Sequence, residues 1–486
     1  MNIEFLKAKN NEDTAFSNET WLHSSYNPTK EAERYVENIK IPFETDCIIV
    51  TEPALSYIVP LIKKKFSCQV GIIRFFQDFS KFDNGDFVIP YYAHKDNFSE
   101  YLFNFLGEEK LMSSFFLSFE ASAKAFPQEN KQVWNNIKNA IEKAKTLLIT
   151  RQYFEKKWLL NSVKLLSYSK INASIIKKTE KPVVICASGP SLGDVLNVLK
   201  KYRDNFFLIC LSSAISVLNK MNITPDLYFS TDGGFWAGEH LKHLKKNIPL
   251  AFPLEAYCKK SSLTDQTILP LFYSDGISKK LYDLCGLSYY PAERNGTVSG
   301  TAIKFAENLT DNDIYFLGLD LCSQKGYQHT QPNEIEFNNQ IHDCRIKNLE
   351  TRVYPGCFPS ESLKIYENWF KTQNFKNNIF RVINNKKNNL NNIKDISSNL
   401  FEKKIINFQK KEETIFQIKE NKNIKKNREM IYEFILKNND TLNWKKSLFP
   451  LDFVSLKHSP SNKDLENKID NENNKLLKKI WNLLNV

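Results

Sequence analysis

Short runs of consecutive apolar residues alternate with amphipathic segments along the middle of the chain. Unbroken apolar runs are typical of strands buried on both faces of a parallel sheet, and the amphipathic segments are typical of the helices that cover such a sheet. The predicted strands span 182–187, 206–211, 226–231 and 314–319, and the predicted helices span 192–201, 213–221 and 301–309. This alternation predicts an α/β fold with a doubly wound, mostly parallel, Rossmann-like sheet.

A shorter version of the pattern comes first, with a strand at 47–51, a helix at 55–65 and a strand at 69–75. A nucleotide-binding turn would carry glycines after its first strand, whereas this turn reads TEPA, so no cofactor site is predicted there. Beyond residue 370 the apolar residues recur at helical spacing. The predicted organisation is a small N-terminal α/β domain at 1–150, a central Rossmann-like domain at 151–370 and a helical C-terminal domain at 371–486.

Composition narrows the function classes. No apolar stretch approaches the length of a membrane span, and the N-terminus lacks a basic-then-apolar export signal. The nine cysteines are scattered and form no C-x-x-C pair, which predicts neither a disulfide framework nor a zinc site and favours a cytoplasmic protein. The net charge of +12 comes mostly from the Asn- and Lys-rich residues 371–486. No recognition module accompanies that charge, so nucleic acid is not a predicted partner.

The turn after the strand at 182–187 reads SGPSL. Gly189 permits close backbone approach, Pro190 precedes the predicted helix, and Ser191 is an expected N-cap that forms a capping box with Asp194. Such a turn either reverses the chain alone or leaves a helix N-terminus open to a phosphate.

Small or polar residues also follow the other strands or precede helices. Ser212 follows the second strand, Asp232 and Gly233 follow the third, and Asp320 follows a later one. A second small-residue turn, NGTVSGT, precedes the helix at 301–309 and contains Asn295, Gly296, Ser299, Gly300 and Thr301. The carboxyl ends of parallel strands line one edge of the sheet, where ligands bind. We therefore expect these residues, with Ser188, Gly189, Pro190 and Ser191, to form one crevice.

The segments CASGPSL, DLYFSTDGG, NGTVSGTAIKFAENL and IYFLGLDL…KGYQHT, in this order, resemble the motility-associated-factor glycosyltransferases. That family shares a domain with 6-hydroxymethylpterin pyrophosphokinase-like proteins. LHSSYNPTKEAERYV at 22–36 is similar to the segment ahead of their first domain, and the central motifs are more distantly similar to bacterial sialyltransferases that use CMP-activated sugars.

The resemblance implies transfer of a nonulosonic acid, of the pseudaminic or legionaminic type, from a CMP-activated donor to Ser or Thr of flagellin. It implies that the two small-residue turns, with Ser188, Ser212 and Gly233, bind the donor, and that Asp232 and Asp320 lie beside the nucleotide as catalytic residues. His329 is the candidate general base and His342 the second choice. Arg294 and Lys325 are candidate partners for the donor carboxylate, while His240 and His243 are expected to be solvated.

No D-x-D pair lies at a strand end, so transfer without a metal or cofactor is predicted. Two other functions remain open from the sequence. One is a pterin pyrophosphokinase that uses ATP and magnesium, and the other is a flagellin-binding chaperone without catalytic activity.

Overall fold

The computed structural model describes residues 3–41, 44–273, 276–287, 289–295, 297–322, 327–346, 361–384, 389–408 and 413–485. The chain divides into two compact units. The first unit combines Met1–Glu155 with Asp440–Lys475, and the second combines Lys156–Asn439 with Leu476–Val486.

The strands within these ranges are β1 Glu4–Lys7, β2 Asp13–Ser17, β3 Thr20–Trp21, β4 Cys47–Thr51, β5 Gln69–Arg74, β6 Phe87–Pro90, β7 Ser114–Ser118, β8 Ile171–Ile175, β9 Val183–Cys186, β10 Phe207–Leu211, β11 Leu227–Phe229, β12 Leu250–Pro253, β13 Thr267–Phe272, β14 Tyr290–Pro291, β15 Ile314–Leu317, β16 Ile379–Val382, β17 Lys394–Ile396 and β18 Phe416–Glu420.

The helices are α1 Pro28–Glu37, α2 Ile58–Lys65, α3 Phe98–Met112, α4 Glu120–Ala125, α5 Pro127–Tyr168, α6 Leu196–Lys201, α7 Ile215–Lys220, α8 Phe235–His240, α9 Lys260–Asp265, α10 Gly276–Cys285, α11 Val298–Leu309, α12 Glu334–Ile341, α13 Glu361–Thr372, α14 Ser398–Ile405, α15 Ile424–Asn438, α16 Leu442–Leu448, α17 Pro450–His458 and α18 Lys463–Leu484. None of the helices in the described ranges is both long and apolar enough to cross a bilayer.

The first unit contains a four-stranded parallel sheet in the order β6-β5-β4-β7, with an antiparallel β1-β2-β3 sheet. The predicted β-α-β succession is confirmed as β4, α2 and β5. All five residues of β4 are buried, because the strand lies between two neighbours in the middle of the sheet.

A buried charged network follows β4 in this unit. Glu52 Oε1 lies 2.6 Å from Arg74 Nη1, and Glu52 Oε2 accepts the Phe75 amide at 2.6 Å. Arg74 also donates to Asp83 and to the Ser56 hydroxyl, and its side chain is fully buried. A carboxylate of the protein therefore lies at the strand end where the sequence shows TEPA in place of glycines.

The second unit is built on an 11-stranded sheet in the order β17-β16-β15-β9-β10-β11-β12-β13-β8-β18, with β14 paired to β13. All neighbouring strands are parallel except β8 and β18. The chain runs from β9 outward to β13 and then returns to place β15 on the other side of β9. The gap between the carboxyl ends of β9 and β15 is therefore a topological switch point, where open α/β sheets bind ligands.

The predicted doubly wound fold is confirmed, and the buried side chains of β9, β10 and β15 account for the apolar runs in the sequence. The predicted organisation beyond residue 370 differs. Residues 371–439 supply β16, β17 and β18 to the large sheet, and Asp440–Lys475 belongs to the first unit, so 371–486 is not a separate helical domain. The apolar spacing around Phe416–Glu420 suggested a helix, but this segment pairs with β8, and the sheet hydrogen bonds override the local pattern.

Candidate active site

The turn after β9 brings two strand ends into close contact. The Gly189 amide donates to Gly318 O at 2.9 Å, and a Cβ on Gly189 would overlap both Gly318 O and Asp320 Oδ2. The φ angle of Gly189 is −58°, which any residue can adopt. Glycine is required here because the ends of β9 and β15 approach closely, and not because of its backbone conformation.

Asp320 occupies the position at this turn where an anion would lie. Its Oδ2 accepts the Ser191 amide at 3.0 Å and the Ser191 hydroxyl at 2.8 Å. The expected capping box of Ser191 with Asp194 is wrong: Gly189 is the N-cap of a 3-10 helix at Pro190–Val195, without a side-chain cap, and α6 begins at Leu196. The competing interaction is with a carboxylate more than a hundred residues away in sequence. The amide predicted to meet a donor phosphate is thus hydrogen-bonded to a protein carboxylate.

We expect Gly189→Ala to lower the free energy of unfolding by about 1–3 kcal/mol, because the added methyl forces Asp320 and the β15 end to shift. Chemical denaturation would measure the loss. Gly193→Ala is the matched control, since its Cβ would meet only Thr330 Cγ2, at 3.9 Å. Equal stability of the two variants would contradict the close approach.

The loop that contains His329 folds back onto the same strand end. The Thr330 amide donates to Ser188 O at 2.7 Å, and its hydroxyl donates to Gly189 O at 2.8 Å. Ser188 Oγ donates to Ser213 Oγ at 2.8 Å, while Ser212 and Pro190 are buried. These contacts hold Thr330, the residue that follows His329, at the switch point.

A buried carboxylate orients His329. Its Nδ1 lies 3.0 Å from Glu336 Oε1, which also accepts the amides of Gln328 and His329. Glu336 is fully buried, whereas about a quarter of the His329 side chain (23%) is exposed. With Nδ1 protonated toward Glu336, Nε2 is left to accept a proton, which is the arrangement a general base requires.

The other histidines have different surroundings. His342 is exposed, and its Nδ1 contacts the backbone of its own helix at Asn338 O. His240 was expected to be solvated, which is wrong: it is buried and hydrogen-bonded to Glu334, because α12 packs on α8. The side chain of His243 is half exposed.

A second polar cluster lies at the carboxyl ends of β11, β12 and β13. The Arg294 guanidinium lies 3.0 Å from Glu255 Oε1, and its Cζ lies over the rings of Trp158 and Tyr273, at 4.6 and 4.4 Å from their centroids. Glu255 is buried, whereas one third of the Arg294 side chain is exposed. Arg294 therefore presents a cation to the crevice in an orientation fixed by two aromatic faces.

Tyr273 connects this cluster to the start of α11. Burial, with the Glu255 carboxylate nearby, raises the pKa of Tyr273 to about 12, so the phenol stays protonated at neutral pH. The side chains of Thr301 and Thr231 lie near the phenol and act in the opposite direction, lowering its pKa. The tips of β11 and β13 and the first turn of α11 therefore meet at Tyr273.

The second small-residue turn forms a capped helix start. Thr297 is the N-cap, and its Oγ1 accepts the Gly300 amide at 2.7 Å. Asn295 donates to Gly300 O, and Ser299 lies in the first turn, where backbone amides lack intrahelical acceptors. The predicted site residue Gly296 and the candidate Lys325 lie outside the described residues.

Asp232 and Gly233 form the turn after β11. Asp232 is exposed, and its Oδ1 accepts the Gly234 amide at 2.8 Å. A Cβ on Gly233 would lie 2.9 Å from Glu255 O and 3.1 Å from the Trp158 ring, so this glycine allows the β11 and β12 ends to meet. Gly233 also lines a cavity of about 530 Å³. A larger cavity, of about 750 Å³, lies between α8 and α12 and includes none of the predicted site residues among its lining.

The structure thus separates the predicted residues into two clusters on one edge of one sheet. The β9–β15 cluster contains Ser191, Asp320 and His329, and the β11–β13 cluster contains Thr301 and Arg294. From β9 to β13 there are four strand spacings, about 19 Å in all. Sequence reasoning missed Trp158, Glu255 and Tyr273, although Glu255 and Tyr273 each follow an apolar run, LAFPL and TILPLF, that signals a strand end.

Known proteins resemble this chain in two respects, the sequence of its central segment and its overall fold. Residues 156–326 match the family model described as 6-hydroxymethylpterin diphosphokinase MptE-like. An uncharacterized protein from Treponema pallidum (strain Nichols) is 30% identical over 276 residues, which is 56% of this chain and 59% of that protein. The match thus spans less than two thirds of the relative's length.

A solved structure, a MAf glycosyltransferase from Magnetospirillum magneticum AMB-1, superimposes with a TM-score of 0.53 at 11% identity, covering 99% of this chain and 90% of that one. The resemblance predicted from the motifs is confirmed: the chain has the fold of a MAf glycosyltransferase, and its central segment is similar to MptE-like domains.

Proposed function

We propose that the chain is a glycosyltransferase that moves a nonulosonic acid from a CMP-activated donor to a Ser or Thr hydroxyl of flagellin, in the cytoplasm. The observation that carries the proposal is that a cation and a histidine–carboxylate pair both lie along one edge of the large sheet. Arg294 lies at the β11–β13 cluster, and His329 with Glu336 lies at the switch point. The shared fold with a MAf glycosyltransferase supports the transferase class.

The proposed reaction uses these groups in separate roles. The acceptor hydroxyl oxygen attacks the anomeric carbon of the sugar as the bond from that carbon to the phosphate oxygen breaks, and the bonding electrons leave with CMP. The hydroxyl proton passes to Nε2 of His329, whose Nδ1 faces the Glu336 carboxylate, and this step requires the acceptor to reach from the switch point toward the donor at the β11–β13 cluster. Arg294 and the first amides of α11 stabilise the charge that develops on the departing phosphate.

Asp320 takes a structural role in this proposal. Its Oδ2 already holds the Ser191 amide and hydroxyl, and a second anion at the same amide would be repelled by it. The phosphate is therefore assigned to the β11–β13 cluster, while the Gly189–Ser191 turn and Asp320 keep the β9 and β15 ends together.

The test mixes the purified full chain with unmodified flagellin and CMP-activated pseudaminic, legionaminic or N-acetylneuraminic acid, and measures the intact mass of flagellin. We expect a mass increase of one or more sugar residues with at least one donor, and its loss in His329→Ala. His342→Ala is the matched control, because His342 is exposed and its ring contacts the backbone of its own helix. An unchanged flagellin mass with all donors would overturn the proposal.

The match of residues 156–326 to a pterin diphosphokinase-like model favours one second candidate, diphosphate transfer from ATP to 6-hydroxymethylpterin. Incubation with ATP, magnesium and the pterin distinguishes the two activities. Formation of a pterin diphosphate, together with unmodified flagellin, would reverse their order.

A further inference from the structure

The 530 Å³ cavity that Gly233 lines has basic walls. It is an open cavity bordered by two helices and a strand-end turn of the second unit, and it is lined by Lys157, Leu160, Asn161, Lys164, Gly233, Phe235, Tyr257, Lys479, Asn482 and Leu483. Three of the described lining residues are lysines and none is acidic. We refer to this space as the lysine cavity.

Helical spacing explains how the lysines come together. Lys157 and Lys164 are seven positions apart on α5, which places them on one face of that helix, two turns apart. Lys479 and Leu483 are four positions apart on α18 and also share a face. The Tyr168 hydroxyl donates to Leu483 O, which fixes the end of α18 beside α5. The two basic helix faces therefore border one space.

Lys164 is partly buried at the wall of the lysine cavity. Its Nζ donates to Cys258 O at 3.3 Å and lies 4.6 Å from the centroid of the Tyr257 ring. Burial lowers the pKa of Lys164, so its positive charge lacks part of its hydration. An anion that entered the cavity would supply the missing stabilisation.

The lysine cavity adjoins the β11–β13 cluster. The Tyr257 amide donates to Asp232 O at 2.9 Å, and the Asn161 side chain donates to Glu255 O at 2.9 Å. Glu255 in turn pairs with Arg294. A ligand held in the cavity is thus adjacent to the cation assigned to the departing phosphate.

We propose that the lysine cavity binds the anionic group of a sugar, with Lys164 and Lys479 as its partners. The exposed ring of Phe235 and the Tyr257 ring supply flat apolar walls of the kind that pack against sugar faces. A carboxylate and a phosphate share the chemistry that two ammonium groups recognise. The identification of this group as the carboxylate of the transferred sugar rests on the proposed function.

The test is calorimetric titration of the full chain with N-acetylneuraminate, glucose 6-phosphate and neutral N-acetylmannosamine. We expect the anionic sugars to bind more tightly than the neutral one, and Lys164→Met and Lys479→Met each to weaken the anionic sugar about tenfold. Lys178→Met is the matched control, because Lys178 is an exposed lysine of the same unit, paired with Asp311. Affinity should also fall as the pH rises through the lowered pKa of Lys164, since only its protonated form attracts the anion.

The arms of the titration separate the outcomes. Tight binding of N-acetylneuraminate assigns the cavity to a carboxylate, and preference for glucose 6-phosphate assigns it to a phosphate. Failure of both anions to bind, or equal affinity in the lysine variants, overturns the proposal even if flagellin is glycosylated. If the anion binds in a lysine-dependent way but no sugar is transferred to flagellin, the binding site is supported and the proposed reaction is contradicted. If Lys164→Met fails to fold, the exposed Lys479→Met tests the same site.

Discussion

Replacing Arg74 by methionine is expected to lower the free energy of unfolding of the first unit by about 3–5 kcal/mol. The guanidinium donates to Glu52, Asp83, Ser56 and the Ala54 carbonyl, and its side chain has no exposed surface. Removing it leaves the fully buried Glu52 carboxylate with amide donors but without its counter-charge. Denaturant unfolding followed by fluorescence would measure the change.

A double-mutant cycle identifies the cause of that loss. Glu52→Gln combined with Arg74→Met removes both fully buried charges and leaves the partly exposed Asp83, so the double variant should be more stable than Arg74→Met alone. Arg34→Met is the matched control, because Arg34 is exposed on α1, and a change within about 0.5 kcal/mol is expected. A loss in Arg74→Met no larger than that of the control would show that the buried network contributes nothing.

The strands of both parallel sheets were predictable because each leaves a local signal. Burial on both faces requires an unbroken apolar run, and β4, β9 and β10 fall within about one residue of their predicted bounds. The strands β16 to β18 were missed because they are short and are flanked by Asn- and Lys-rich sequence. In addition, β18 is an edge strand that pairs with β8 on one side. Edge strands are defined by their pairing, which no local pattern encodes.

The candidate site was predictable by position but not by role. Residues after strands were expected at the crevice, and Ser191, Asp320 and Thr301 lie at strand ends or helix starts as the motifs indicated. Their partners were not predictable, because the Ser191–Asp320 contact spans 129 positions and depends on β15 returning beside β9. The local prediction of a capping box failed for the same reason.

Arg294→Met is expected to reduce the rate of sugar transfer by about 10²–10³-fold while flagellin binding is kept. In the proposed reaction Arg294 acts on the charge that develops as CMP departs, so its loss should appear in kcat more than in KM. Its contacts with the Trp158 and Tyr273 rings and with Glu255 restrict the direction in which it points. Single-turnover kinetics with the CMP-activated donor that modifies flagellin would measure the effect.

Arg294→Lys distinguishes positioning from charge alone. A lysine keeps the positive charge but cannot stack as a plane or pair with Glu255 while facing the phosphate, so we expect it to recover only a small part of the rate. Glu255→Gln should reduce the rate of sugar transfer by an intermediate amount, because it removes the buried carboxylate that pairs with Arg294 but keeps the Arg294 cation. Full activity in Arg294→Met, in protein that unfolds like the parent, would show that Arg294 does not stabilise the departing phosphate.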